Sequence, residues 1–192
     1  MQLVVFSCTM LDKYRGGGMM ENMHMEKIHI YDLKNYTSDM EEFEKFSVRA
    51  VIVRDGKIAA QKGRMGEYKI LGGGMDEGET YTDALLREVQ EESGLLVLPE
   101  SIRPIGEIEE KRRDRFEPDK IFHCHSMFFF CDVKEEMTKP HMTASEIEKG
   151  YHLVWASPEE IIAGNAEFLN QPWIFRDTEF VRMYANGSFK NR

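Results

Sequence analysis

Hydrophobic and polar positions along the chain change register several times, and each change marks an element. The segment 47–54 (SVRAVIVR) is rich in β-branched residues and runs into Asp55-Gly56 and the mixed run 57–61, the signature of a β-hairpin. A short strand follows at 68–71 and ends in Gly72, Gly73 and Gly74. At about 100° per residue Leu85, Leu86 and Val89 fall on one stripe, which predicts a helix over 80–93 that Gly94 closes in the C′ position. Further strands are expected at 102–109, 120–133 and 151–156, with helices starting at the Ser157-Pro158-Glu159-Glu160 cap and near Arg176. There is no internal repeat, and strands and helices mix without regular βαβ alternation. The expected fold class is therefore α/β in the α+β sense, a layered α/β/α domain.

The patterning is clear only from Phe46 onward. Residues 1–45 read as an N-terminal extension, in which Gly16, Gly17 and Gly18 resemble a flexible linker and Met19, Met20, Met23 and Met25 offer alternative starts of translation. The domain itself is expected over 46–192. The first residues lack both a basic leader and a small-residue cleavage site, so the expected location is cytoplasmic.

Composition narrows the class further. A chain of 192 residues, 42% hydrophobic and 31% charged, is the right size for one folded domain. Its longest uninterrupted apolar run, Met127 to Cys131, is far short of the roughly 20 residues a membrane helix needs. Cys8, Cys124 and Cys131 are an odd number without CxxC spacing, which fits reduced thiols better than disulfides or a cysteine zinc site. A formal charge of -9 repels bare phosphate backbones, so a nucleic-acid polymer is not an expected partner, and an anionic small-molecule substrate would need a cation to mediate contact.

The candidate chemistry sits in the segment 72–95. Glu88, Glu91 and Glu92 are three and four residues apart on the predicted helix and share a face. Carboxylates in the last turns repel one another and oppose the helix dipole, so a purely structural helix would favour lysine or arginine there. Hard divalent cations take oxygen ligands and bridge to phosphates, a role clustered glutamates can serve. A solvated acidic helix face is the competing explanation for these three residues taken alone.

Taken with its flanks, the segment resembles the Nudix box, G-x5-E-x7-R-E-U-x-E-E-x-G-U with U a bulky aliphatic. Gly73, Glu79, Arg87, Glu88, Val89, Glu91, Glu92, Gly94 and Leu95 occupy every specified position. A chance match is on the order of one in a million. The resemblance implies a Nudix-type α/β/α sandwich with a mixed sheet, and Mg²⁺- or Mn²⁺-dependent hydrolysis of a nucleoside diphosphate linked to another group. It implies Glu88, Glu91 and Glu92 as metal ligands and catalytic residues, Arg87 and Glu79 as an internal ion pair, and Gly73 as a loop glycine beside the substrate phosphates. Members of the family often add a carboxylate from a loop before the last strand; the matching loop, 138–150, offers Glu146 and Glu148, and a T-x-x-E start at Thr143 favours Glu146 as a catalytic residue. Homodimers are common in the family. A nucleoside triphosphate, an ADP-ribose-like nucleotide sugar or a dinucleotide each fits as substrate, and the alternative function is a Nudix-fold module that senses a nucleotide without cleaving it. The intact carboxylate set favours hydrolysis.

The remaining residues are less specific. Arg49, Lys62 and Arg64 precede the glycine loop and are candidate substrate-phosphate contacts, with ordinary surface cations as the alternative. Leu71 stands where many Nudix members have proline. The run Lys111 to Arg115 reads as a solvated loop, with steering of a polyphosphate as the alternative, and Trp155 as a core residue. Gln171-Pro172-Trp173 resembles part of an NADH-pyrophosphatase motif but lies too late in the chain to count as one. His123 and His125 flank Cys124 on a predicted strand, and without further spaced ligands they do not make a zinc site by sequence.

Overall fold

The computed structural model describes residues 25–190; Cys8, the glycine triplet and Met19, Met20 and Met23 lie outside the described residues. The elements run β1 (Lys27–Asp32), β2 (Glu41–Val51), β3 (Val53–Arg54), β4 (Lys57–Lys62), β5 (Tyr68–Ile70), α1 (Tyr81–Ser93), β6 (Leu95–Val97), β7 (Arg103–Arg113), β8 (Lys120–Phe130), β9 (Val133–Met137), α2 (Ala144–Lys149), β10 (His152–Ala156), α3 (Pro158–Gly164) and α4 (Pro172–Ala185). The main sheet has the order β1-β7-β8-β2 and is mixed: β2 runs parallel to β8 and β1 parallel to β7, while β7 and β8 are antiparallel. A smaller antiparallel sheet, β10-β4-β3 with β5 on β4, joins β2 through bridges at Ser47–Gly74 and Ala50–Leu71.

Side-chain alternation along these strands builds two cores. Phe46, Val48, Ala50, Met127 and Phe129 face α1 and meet its Ala84, Leu85 and Val89. Val51, Ile108 and Phe128 face the other way, onto Ile161 of α3 and Phe180 and Val181 of α4, with Phe128 and Phe180 stacked at 4.3 Å between centroids. This is the expected α/β/α sandwich. Truncating a fully buried residue such as Phe128 or Leu85 to alanine would cost about 2–5 kcal/mol. Trp155 packs against the first core, partly buried, with Arg54 over its ring at 4.9 Å.

The helices start where their caps put them. Thr80, Ser157 and Thr143 each accept from the backbone N–H three residues on, and Asp83, Glu160 and Glu146 reach back in return, so all three are capping boxes. Gly94 ends α1 at φ 77°.

Several boundaries differ from those the pattern suggests. β2 begins at Glu41, earlier than the pattern suggests, since Glu41–Lys45 is charged at four of five positions and its one apolar residue, Phe43, is exposed. β1, within the segment read as an extension, is an edge strand on β7. β7 continues through Arg113, so most of the basic run at 111–115 is strand, not loop, and Arg112 is buried. The segment 138–150 contains α2, and β6 and β9 are a two-stranded ribbon that the sequence pattern does not reveal.

Candidate functional site

Beyond the cores, the strands that pack on α4 carry polar residues on the same face, and these line a cleft of about 450 Å³. Its walls come from Lys45, Ser47 and Arg49 of β2, Glu110 and Arg112 of β7, Phe122 and Cys124 of β8, the loop Gly72–Gly74, and the starts of α2 and α4. Glu88 and Glu92 of α1 and Glu146 of α2 open into it.

The loop fixes the carboxylates. Gly72 has φ 128°, and its N–H donates to Glu92 Oε2 at 2.7 Å. A Cβ at Gly73 would meet the Glu88 carboxylate, so a larger residue there would push that carboxylate out of its place. Arg87 is bidentate to Glu79, Nε to Oε1 at 2.6 Å and Nη2 to Oε2 at 2.8 Å; it also donates to Glu88 Oε1 at 2.7 Å and to Gly74 O at 3.0 Å. Glu79 in turn accepts from Asp76 N at 2.8 Å, so one guanidinium ties the glycine loop, the following turn and the helix together. Arg87 and Glu79 are thus the internal pair that the box resemblance implied.

Electrostatics separate the three carboxylates. Glu92 is 4% exposed, and burial pushes its carboxyl up to about 7 against the opposing pull of Lys69, the Gly72 N–H and Arg49. Burial also raises Glu88, with Arg87 opposing. Burial acts the same way on Glu146, but the backbone N–H and hydroxyl of Thr143, the Lys69 ammonium and a hydrogen bond from Glu92 outweigh it and hold Glu146 below the usual range. Lys69 Nζ lies 3.5 Å from Glu92 Oε1 and 3.9 Å from Glu146 Oε1.

Across the cleft, Arg49 is 7% and Arg176 5% exposed, and Asp177 is their shared counter-ion: 3.9 Å from Arg49 Nε and 2.8 Å from Arg176 Nη2. Arg49 also donates to Gly72 O, while its Nε has no hydrogen-bond partner. Burial and the adjacent Arg176 charge disfavour the Arg49 cation, yet a guanidinium does not give up its proton in a protein. The two buried cations share Asp177 as their nearest carboxylate, with Glu92 acting on Arg49 and Glu110 on Arg176 as well.

The structure therefore gathers Glu88, Glu92, Glu146, Arg49 and Gly73 in one cleft and leaves other expected residues outside its wall. Glu91 is 45% exposed and 3.5 Å from Arg87. Glu148 is exposed on α2. Lys62 pairs with Tyr68 in the β4–β5 ladder and sits 4.8 Å over its ring. It alternates away from Gln61, whose partner Lys69 is the residue in the cleft. Arg64 lies in the turn after β4, against Gly150. Lys69 was legible in principle, since Tyr68 and Ile70 on either side are buried core residues and force it to the other face. Arg176 and Glu110 carried no such signal, and Arg112 was marked only as part of the basic run 111–115. Gln171-Pro172-Trp173 starts α4 and puts Trp173 in the cleft wall, with Arg115 at 5.8 Å over its ring.

Comparison with known proteins agrees with this geometry. A model of the NUDIX domain matches residues 44–176. No curated protein matches the chain. Solved structures similar to it include a NUDIX hydrolase from Nitrosomonas europaea, at 22% identity over 65% of this chain and 79% of that one with a TM-score of 0.51. A UDP-X diphosphatase is similar over 76% of this chain and 64% of its own at 17% identity, TM-score 0.50. Identities this low speak for a shared fold. Among the described residues no helix is long and apolar enough to cross a membrane.

Proposed function

The chain belongs to the Nudix family, and on that premise we propose that it is a divalent-metal-dependent hydrolase of a diphosphate linkage in a nucleoside diphosphate joined to another group. The observation that carries this reading is the convergence of Glu88, Glu92 and Glu146 on one side of a cleft whose other side holds the buried guanidiniums of Arg49 and Arg176. The donor set is all oxygen, and burial makes Glu92 costly to ionise without a cation, which fits Mg²⁺ or Mn²⁺. Bound there, the ion would neutralise phosphate oxygens and lower the pKa of a coordinated water.

The chain's own groups divide the remaining work. Glu92 and Glu88 hold the cation side of the cleft. Glu146 stays ionised at neutral pH, and Thr143 fixes one of its oxygens at 2.8 and 2.9 Å while the other faces Lys69, which suits it to accept a proton from the attacking water. Arg49 and Arg176 are placed to take phosphate oxygens, and Gly73 leaves the room that the Glu88 carboxylate occupies. Phe122, with Arg112 at 4.3 Å over its ring, and Trp173 supply flat surfaces for the nucleoside part. Nucleoside triphosphates, nucleotide sugars and dinucleotides are the substrate classes to test, with Mg²⁺ and Mn²⁺, by phosphate release and product mass. Tight binding of a nucleotide without turnover under both metals would replace the hydrolase reading with that of a nucleotide-sensing module.

A further inference from the structure

The face of the main sheet opposite the cleft carries a second set of metal-ligating side chains. His123 and His125 alternate away from Cys124 on β8 and lie side by side, ring centroids 4.3 Å apart. In the parallel β2–β8 ladder Glu44 stands beside His123 and Phe46 beside His125. One ligand atom from each of Glu44, His123 and His125 falls within 4.8 Å of the others. The two ligand contacts of Glu44 Oε1 are closer, 3.8 Å to His125 Nε2 and 3.9 Å to His123 Nδ1. A tetrahedral ion with bonds of about 2.0–2.1 Å separates its ligand atoms by about 3.4 Å, so small side-chain rotations close the set.

The far nitrogens are already held. His125 Nδ1 is 2.6 Å from Glu107 Oε1, and His123 Nε2 is 2.8 Å from Glu109 Oε1, both carboxylates coming from β7. The metal-facing Nδ1 of His123 lies 2.5 Å from Glu42 Oε1, a contact an incoming ion would take over, whereas His125 shows the arrangement that orients metal-ligating imidazoles: a carboxylate holds one nitrogen and the other is left open. That nitrogen of His125, Nε2, is buried and has no hydrogen-bond partner. Phe46 stacks on the His125 ring at 4.8 Å and closes the apolar side.

Charge points the same way. Four carboxylates, Glu42, Glu44, Glu107 and Glu109, surround the imidazoles, while Lys27 pairs with Glu109 and Lys111 with Glu42. Four carboxylates against two paired lysines leave the cluster rich in acidic groups, a setting that favours a cation. The ions that favour mixed imidazole and carboxylate ligands are borderline ones of the zinc type, in contrast to the hard ions suited to the all-oxygen cleft.

We propose that Glu44, His123 and His125 bind a divalent transition-metal ion of the zinc class, with Glu42 within reach as a fourth ligand and Glu107 and Glu109 orienting the rings. Such an ion joins β2 to β8 directly, and to β7 through Glu107 and Glu109, at the end of the sheet where the α1 core stops, so it is a structural staple. Zinc titration of the full chain by calorimetry, with Mg²⁺ in large excess to occupy the oxygen site, tests this together with ¹⁵N spectra of the histidine rings. One zinc equivalent should bind, the ring nitrogens of His123 and His125 should shift, and the melting temperature should rise. His125→Ala should abolish the binding. Glu107→Gln, which keeps both imidazoles, should weaken it about 10–100-fold, with hydrolysis of a nucleotide substrate under Mg²⁺ unchanged in both variants. Ring signals of the parental protein that do not respond to zinc, or zinc that Mg²⁺ displaces, would overturn the proposal whether or not His125→Ala folds.

Discussion

Replacing Glu92 by glutamine tests the electrostatics of the cleft through stability, without reference to any substrate. The Glu92 carboxyl rises from 4.5 to about 7 on folding, chiefly because it is buried. At 1.36 kcal/mol per pH unit this corresponds to about 3 kcal/mol. The sign follows from proton uptake. Below pH 4.5 both folded and unfolded chains carry the proton; between 4.5 and about 7 the folded chain holds it and the unfolded chain has lost it, so stability falls as pH rises; above about 7 the full cost is present. Glutamine keeps the shape and the Gly72 N–H bond and has no proton to lose. In EDTA, urea unfolding followed by circular dichroism should show Glu92→Gln gaining on the parental protein by about 3 kcal/mol from pH 5 to pH 8, most steeply near pH 6. Other carboxylates cancel in the difference, apart from Glu146, which contacts Glu92 directly. Excess Mg²⁺ should close the gap by favouring the ionised carboxylate, while kcat of the variant falls at least about a hundredfold. A stability difference independent of pH across this range would refute the argument that Glu92 is a desolvated acid awaiting a cation.

Further outcomes follow from the same geometry. Gly73→Ala should fold but lose up to about a hundredfold in kcat, because its methyl group displaces the Glu88 carboxylate; steady-state kinetics beside a thermal melt checks both halves. Glu146→Gln should lower kcat by at least about a hundredfold and alter the acid limb of the pH–rate profile, whereas Glu148→Gln, on the exposed side of α2, should behave as the parental protein. Lys62→Ala and Arg64→Ala should leave KM for nucleotide within about twofold, while Arg176→Met should raise it about tenfold or more, measured at saturating Mg²⁺. Removing residues 1–24 should leave the hydrolase activity in place, measured by steady-state kinetics, since the box and the cleft residues all lie later in the chain.

The parts of this molecule legible in the sequence are those whose function demands local spacing. The glycine loop, α1 and its Glu79–Arg87 pair form one continuous stretch, so their geometry was written in residue separations. Residues that reach the cleft from distant strands left weaker marks. Glu146 was singled out by T-x-x-E, yet in the fold that pattern is first a helix cap, with Oε2 on Thr143 and Oε1 toward Lys69. One carboxylate thus serves the helix and the cleft together. Arg49 was visible as a cation ahead of the loop, but its partner Arg176 comes from a helix 127 residues later in the chain, and no local rule links the two.

Strand alternation explains why the two faces of the main sheet were unequally readable. A strand that leaves the core keeps its period of two, so β8 sends Phe122 and Cys124 into the cleft and His123 and His125 to the opposite side. Read along one strand, H-C-H lacks the spaced ligands of a zinc motif. Its complement is supplied across strands, by Glu44 beside His123 in the parallel ladder and by Glu107 and Glu109 on β7. The acidic run Glu41, Glu42, Glu44, which hid the start of β2 by leaving it mostly charged, is the same feature that surrounds the histidines with carboxylates. A segment that looks like solvated extension in one dimension thereby becomes half of a candidate metal site once the register of β2 on β8 is fixed.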